Sequence, residues 1–253
     1  MMLLPDFLEV PLAHRALHDV NDGRPENSRA AIHAAIAAGY GIEIDVQLSS
    51  DGAAMVFHDY ALDRLAFDTG AVRLRSAADL SAIRLKGGDE GIPTLSEVLD
   101  IVAGQVPLLV ELKDQDGGMG TDIGPLERAT AEALQGYQGP LAVMSFNPNS
   151  VVMMAELLPD VARGLVTSAY RYADWPLPKA TCDHLRGIPD YERSGSCFIS
   201  HEVDDLARDR VAELKQQGAA ICCWTVRSAT EERIARRIAD NITFEGYSAA
   251  LTA

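Results

Sequence analysis

A (β/α)8 TIM barrel is the fold this sequence predicts, on three observations. Short β-rich runs alternate with helical patterns along nearly all of its 253 residues. The β-rich runs number eight, and about 250 residues suffice for one such barrel. An open doubly wound sheet is the main rival. The expected strands cover 11–15, 42–46, 108–113, 142–146, 162–166, 197–201, 221–226 and 242–245. The expected helices cover 28–38, 96–103, 126–134, 150–158, 204–216 and 229–238, with none assigned between the strands at 162–166 and 197–201.

Taken in order, the first strand runs from apolar Leu12-Ala13 into His14-Arg15. Asn27 stands where an N-cap would open the first helix, and Gly39 follows its end. The second strand alternates Ile42, Ile44 and Val46 with Glu43 and Asp45. Asp51-Gly52 then leaves no room for a crossover helix, so 53–58 reads as an antiparallel hairpin arm. A two-residue turn there pairs Ser50 with Ala53 and sets His58 opposite Asp45. Residues 59–93 are punctuated by Gly70, Gly87-Gly88, Gly91 and Pro93, with one helical turn at 76–83. They read as a small insertion of the kind that often serves as a lid. Thr94 is placed to cap the next helix, and Gly218 follows the helix at 204–216. No internal repeat or long linker appears, so residues 1–253 read as a single domain.

Composition narrows the function. The chain is 47% hydrophobic and 23% charged, as ordinary globular proteins are, and its net charge is −15. That charge argues against a surface built for nucleic acid or anionic lipid. A phosphate could still be bound locally by a concentrated positive device such as a metal. The N-terminus lacks a basic leader, its apolar stretch is broken by Pro5, Asp6 and Glu9, and no apolar run nears the roughly 20 residues that span a bilayer. Cys182, Cys197, Cys222 and Cys223 form no CxxC, so they read as reduced thiols and the expected compartment is the cytoplasm.

Two acidic strands carry the chemistry. Residues i and i+2 share a face, so Glu43 and Asp45 project together while the isoleucines face the other way. A lone pair of this kind more often faces solvent, but in a barrel strand the apolar side packs on helices and the charged side points inward. Glu111 and Lys113 share a face at the end of the strand at 108–113. Glu43, Asp45 and Glu111 would make an all-oxygen site for one divalent cation, Mg2+ or Ca2+ rather than Zn2+. Lys113 could meet a phosphate oxygen, or pair internally with Glu111. His14 and His58 each end a strand beside these acids, where an acid and a base able to titrate near neutrality serve phosphodiester cleavage. Trp224 could wall a pocket or fill the barrel mouth, and His201 is a weaker pocket candidate.

The order Ala13-His14-Arg15, Pro25-Glu26-Asn27-Ser28, Gly41-Ile-Glu43-Ile-Asp45, Asp51-Gly52, Val56-Phe57-His58-Asp59 and Leu62-Asp63-Arg64 resembles that of the glycerophosphodiester phosphodiesterases. Ile92-Pro93-Thr94-Leu95, Val110-Glu111-Leu112-Lys113, Ser145-Phe146 and Trp224-Thr225-Val226 continue the resemblance over nearly the whole chain. It implies a (β/α)8 barrel that hydrolyses a small-molecule glycerophosphodiester to glycerol 3-phosphate and an alcohol. Carried over, Glu43, Asp45 and Glu111 bind the cation, His14 and His58 are the acid–base pair, and Arg15 and Lys113 hold the phosphate. Three positions depart from the family pattern: Ala16 replaces the usual glycine of His-Arg-Gly, Arg227 the Asn after Trp-Thr-Val, and Phe244-Glu245-Gly246-Tyr247 the Thr-Asp-x-Pro. The alternatives are a phosphodiesterase acting on lysophospholipids and a barrel that binds phosphodiesters without cleaving them. No nucleic-acid partner and no stable membrane association are expected, and the oligomeric state is left open.

Overall fold

The computed structural model describes residues 2–251. Its strands are β1 (Leu12–Ala13), β2 (Gly41–Leu48), β3 (Ala54–Val56), β4 (Leu108–Leu112), β5 (Leu141–Ser145), β6 (Ala162–Thr167), β7 (Phe198–Glu202), β8 (Ala220–Val226) and β9 (Asn241–Phe244). The helices are α1 (Asp6–Glu9), α2 (Arg29–Ala38), α3 (Ala77–Ala82), α4 (Leu95–Val102), α5 (Pro125–Leu134), α6 (Pro148–Leu157), α7 (Lys179–Arg186), α8 (Asp209–Gln216) and α9 (Ala229–Ala235). β1 pairs in parallel with both β2 and β9, which closes eight parallel strands into a barrel. β3 runs antiparallel along β2 from Val46 to Leu48, on the edge that two-residue β1 leaves open beyond Ile42.

The two-residue period of the strands sorts the core into layers. Ile42, Ile44, Val46, Leu108 and Val110 face outward into the layer that holds Ala31, Ile32 and Ala35 of α2 and Val98 and Val102 of α4. Leu12, Leu109, Ala142, Ala162, Phe198 and Cys222 face inward, where Leu3 and Phe7 close the N-terminal end. Gly164 on β6 makes room for the Phe198 ring, since a Cβ there would lie 2.5 Å from it. Cys222 and Cys223 fall on opposite faces, and all four cysteines are free and buried. Among the described residues no helix is long and apolar enough to cross a membrane.

Four expectations are corrected. The hairpin register is one residue away from that expected: Leu48 pairs with Ala54, and Asp45 stands opposite Phe57, whose N–H donates to the Asp45 carbonyl at 2.9 Å. The turn holds three residues because Gly52 takes φ +86° and Ser49 Oγ accepts from Ala53 N–H at 2.8 Å while donating to Asp51 at 2.6 Å. The N-cap of α2 is Ser28, which accepts from Ala31 N–H, whereas Asn27 lies before it at φ 58°. The span 204–216 is broken, with a 3-10 turn at Val203–Asp205 ahead of α8. Between β6 and β7 lies α7, whose buried stripe is only Cys182 and Leu185, too thin to announce a helix by periodicity.

The excursion at 59–93 carries its own small core. Phe57, Leu62, Ala66, Val72, Leu80, Leu85 and Ile92 are buried together beside Met55 of β3. Ser76 caps α3 within it, and Thr94 with Glu97 forms a capping box where α4 begins.

Candidate active site

At the C-terminal end of the barrel the inward-facing positions change from apolar to charged. Glu43 and Asp45 of β2 and Glu111 of β4 are buried, and each offers a carboxylate oxygen within 4.8 Å of the others. In-register pairing of Asp45 with Glu111 brings the two strands' acids together. Three buried carboxylates repel one another unless a cation lies among them. Burial, and then the charges of Asp45 and Glu111, hold the Glu43 carboxyl well above the usual carboxylate range. Burial pushes Asp45 the same way, but Lys113, His58 and Arg15 prevail and hold it well below that range.

The cations are placed by short bonds. Lys113 Nζ donates to Glu111 Oε1 at 2.8 Å and lies 3.4 Å from Asp45 Oδ1. Those charges outweigh burial and raise the lysine's proton affinity. The Arg15 backbone N–H donates to Glu43 Oε2 at 2.9 Å, and its guanidinium donates to Glu26 at 2.7 Å. Its buried Nε makes no hydrogen bond among the described residues and faces Asp45 Oδ2 at 3.7 Å. Asn27 Nδ2 donates to Asp45 Oδ2 at 3.0 Å, so the residue expected as a helix cap instead fixes an acid.

Both histidines reach the same cavity, about 130 Å³ in volume, with Arg15, Glu43, Asp45, Glu111, Lys113 and Trp224 on its walls. His58 arrives despite the shifted register because β3 ends at Val56 and the chain bends before it. Each imidazole is held by a carboxylate. His14 Nδ1 donates to Glu245 Oε2 at 2.6 Å, and His58 Nδ1 donates to Asp59 Oδ1 at 2.7 Å. A carboxylate on Nδ1 fixes the tautomer and leaves Nε2 available. Burial lowers the His14 pKa, against the hydrogen bond to Glu245 that raises it. Asp59 is further held by Arg64, through Nε and Nη2 at 2.7 Å each. Arg64 also grips Glu26 at 2.9 Å, which completes an ionic chain from Arg15 through Glu26, Arg64 and Asp59 to His58.

Trp224 lines the cavity with its indole fixed by a 2.9 Å bond from Nε1 to the Ser200 carbonyl. His201 does not join the cavity; it is buried between Thr167 at 2.8 Å and Asp205 at 3.2 Å. Glu245 was noted in the sequence only as a departure, yet Ile242 and Phe244 face outward, so the strand period itself turns position 245 inward. The second departure meets the first, since Arg227 Nε donates to Glu245 Oε1 at 2.8 Å. Ala16, the third, sits at φ 64°, where the family pattern has glycine.

Residues 14–242 match the glycerophosphoryl diester phosphodiesterase family. The chain belongs to that family. It is 30% identical over 229 residues to a glycerophosphodiester phosphodiesterase of Caldanaerobacter subterraneus subsp. tengcongensis, with 86% of this chain and 87% of the relative covered. Human glycerophosphodiester phosphodiesterase 1 is 30% identical over 206 residues, covering 77% of this chain and 57% of the human protein. Among solved structures, an Oleispira antarctica phosphodiesterase in complex with its product sn-glycerol-3-phosphate superposes with a TM-score of 0.75 at 25% identity, over 95% of this chain and 94% of that one. The glycerophosphodiester phosphodiesterase of Thermotoga maritima shares the fold with a TM-score of 0.70 at 22% identity, over 93% and 94% of the two chains.

Proposed function

We propose that this chain, as one catalytic domain with 59–93 as its short insertion, hydrolyses glycerophosphodiesters to glycerol 3-phosphate and an alcohol, using one divalent cation, Mg2+ or Ca2+. The observation that carries the reading is one cavity walled by three buried carboxylates, two cations and two carboxylate-held histidines. Glu43, Asp45 and Glu111 would hold the ion. The donor set is all oxygen, and the raised proton affinity of Glu43 marks a place where positive charge is wanted. When bound, such an ion stabilises negative charge on phosphoryl oxygens.

The chain's own residues do the rest. Arg15, through its guanidinium, and Lys113 bind the phosphate oxygens and oppose the charge that grows on them. One histidine takes a proton from the attacking oxygen, which belongs to water or to the neighbouring glycerol hydroxyl. The other gives a proton at Nε2 to the leaving alcohol oxygen. Glu245 and Asp59 orient the two rings, and Trp224 walls the substrate.

Glycerol 3-phosphate release from a panel of diesters, with EDTA and metal add-back, tests the reading. Turnover is expected to vanish with EDTA and return with Mg2+ or Ca2+. His58→Ala is expected to lower kcat by about 10²–10⁴-fold. Near-full turnover in that variant, with metal binding intact, would overturn the assignment.

A further inference from the structure

Glu245 is approached from three sides. His14 Nδ1 donates to its Oε2 at 2.6 Å and Arg227 Nε to its Oε1 at 2.8 Å, while His18 Nε2 stands 3.7 Å from Oε2. The second imidazole arrives there because the chain turns back after β1. Arg15 and Ala16 take φ 52° and 64°, and Leu17 N–H then donates to the Ala31 carbonyl at 3.3 Å. His18 does not line the catalytic cavity. It lines a separate one of about 570 Å³ beside Gly246 and Tyr247, so any part it takes in the reaction passes through Glu245.

The two supports behind the carboxylate are unequal. The Arg227 side chain is 63% exposed, where solvent screens an ion pair and weakens its hold. The His18 side chain is only 23% exposed, and its Nε2 is buried without a hydrogen-bond partner among the described residues. A buried N–H left unpaired costs free energy, and 3.7 Å is just too long for a hydrogen bond. A small movement of the carboxylate closes that gap. Glu245 is fit to accept from both rings, since its carboxyl is held well below the usual carboxylate range, with the bond from His14 as the first cause.

A ring that exchanges a proton at Nε2 must keep its Nδ1–H on one acceptor while its charge comes and goes. A carboxylate held only by a screened arginine would drift whenever His14 is neutral. We propose that His18 is a positioning residue, whose Nε2–H is the second donor to Glu245 Oε2 and keeps that carboxylate aligned with His14 through the catalytic cycle. The proposal rests on the hydrolase reading above.

His18→Leu is expected to lower kcat about tenfold with KM unchanged, as loss of a supporting hydrogen-bond partner does. His18→Gln, whose amide nitrogen reaches the place of Nε2, is expected to recover most of that loss. In a Glu245→Ala background His18→Leu is expected to cost nothing further, because the shared carboxylate is gone. Equal losses in the two backgrounds, or full turnover in His18→Leu, would overturn the proposal. Proton NMR supplies a readout apart from turnover, through the hydrogen-bonded Nδ1–H of His14, assigned by its loss in His14→Gln. In His18→Leu this resonance is expected to move upfield and exchange faster with water. That change in a protein that cleaves no diester ends the hydrolase reading and keeps the hold of His18 on Glu245. Cleavage of diesters with the resonance unmoved in His18→Leu does the reverse.

Discussion

The two ends of the barrel interior are built from the same strands and the same pleat, yet they do opposite work. At the N-terminal end Leu3, Phe7, Leu12, Leu109, Ala162 and Phe198 interlock as an apolar plug. Asn241 ties the plug down by donating to the carbonyls of Phe7 at 2.6 Å and Val10 at 2.7 Å. One or two inward positions further along, β2 and β4 present Glu43, Asp45 and Glu111 instead, and β1 runs out into Arg15 and Ala16 at φ 52° and 64°. Burying like charges and holding a left-handed backbone both cost free energy. The plug offsets that cost, which lets the opposite end keep groups chosen for chemistry rather than for packing.

Substitutions can break this division of labour. Phe7→Ala removes a fully buried ring and is expected to lower stability by about 3–5 kcal/mol, measured by denaturant unfolding, with kcat/KM unchanged below the new Tm. A change in kcat/KM would show that the two ends are coupled. Glu43→Gln is expected to act the other way. An acid whose folded pKa is raised holds its proton more tightly in the native state, so native stability falls as pH rises from the unfolded value of about 4.3 through the folded one. The amide carries no such charge. The ion-free variant is therefore expected to be more stable than the unaltered protein at pH 8. The two should be alike near pH 4, and the variant's Tm should no longer respond to Mg2+ or Ca2+. A variant less stable at pH 8 would contradict this account.

The smallest effect is a shift in a pH profile. Burial lowers the His14 pKa and Glu245 partly restores it, so Glu245→Gln is expected to lower it further. If His14 works unprotonated as the base, the acid limb of kcat/KM moves to lower pH. If it works protonated as the acid, the alkaline limb moves down and the rate at neutral pH falls. The limb that moves assigns the role, and a profile in which neither moves removes His14 from the acid–base pair.

Much of this was legible beforehand, and the reason is the strand period. Alternation of Ile42, Ile44 and Val46 with Glu43 and Asp45 announces which side packs and which side reacts. The eight strands and the acidic trio follow from such patterns. What was not legible depends on contacts that a local pattern does not encode. Asp51-Gly52 fits two turn lengths, and the Ser49 hydroxyl selects the longer one by bridging Asp51 and Ala53. Glu245 meets His14 across 231 residues of sequence, and only barrel closure makes them neighbours. Asn27 looks like a cap because caps and turns use the same side chains, although its amide is spent on Asp45.

The ionic chain from Arg15 through Glu26, Arg64 and Asp59 to His58 has one more implication. It fastens the start of the excursion to the rim at two points, five residues apart in Asp59 and Arg64. The stretch after Arg64 is tied back separately: the Arg75 carbonyl accepts from Ser50 N–H, and Glu90 accepts from the N–H groups of Arg29 and Ala30. Its exposed positions, Phe67 and Leu74 among them, can therefore change over evolutionary time without jolting the imidazole, and new selectivity can be tried there while the reacting atoms stay put.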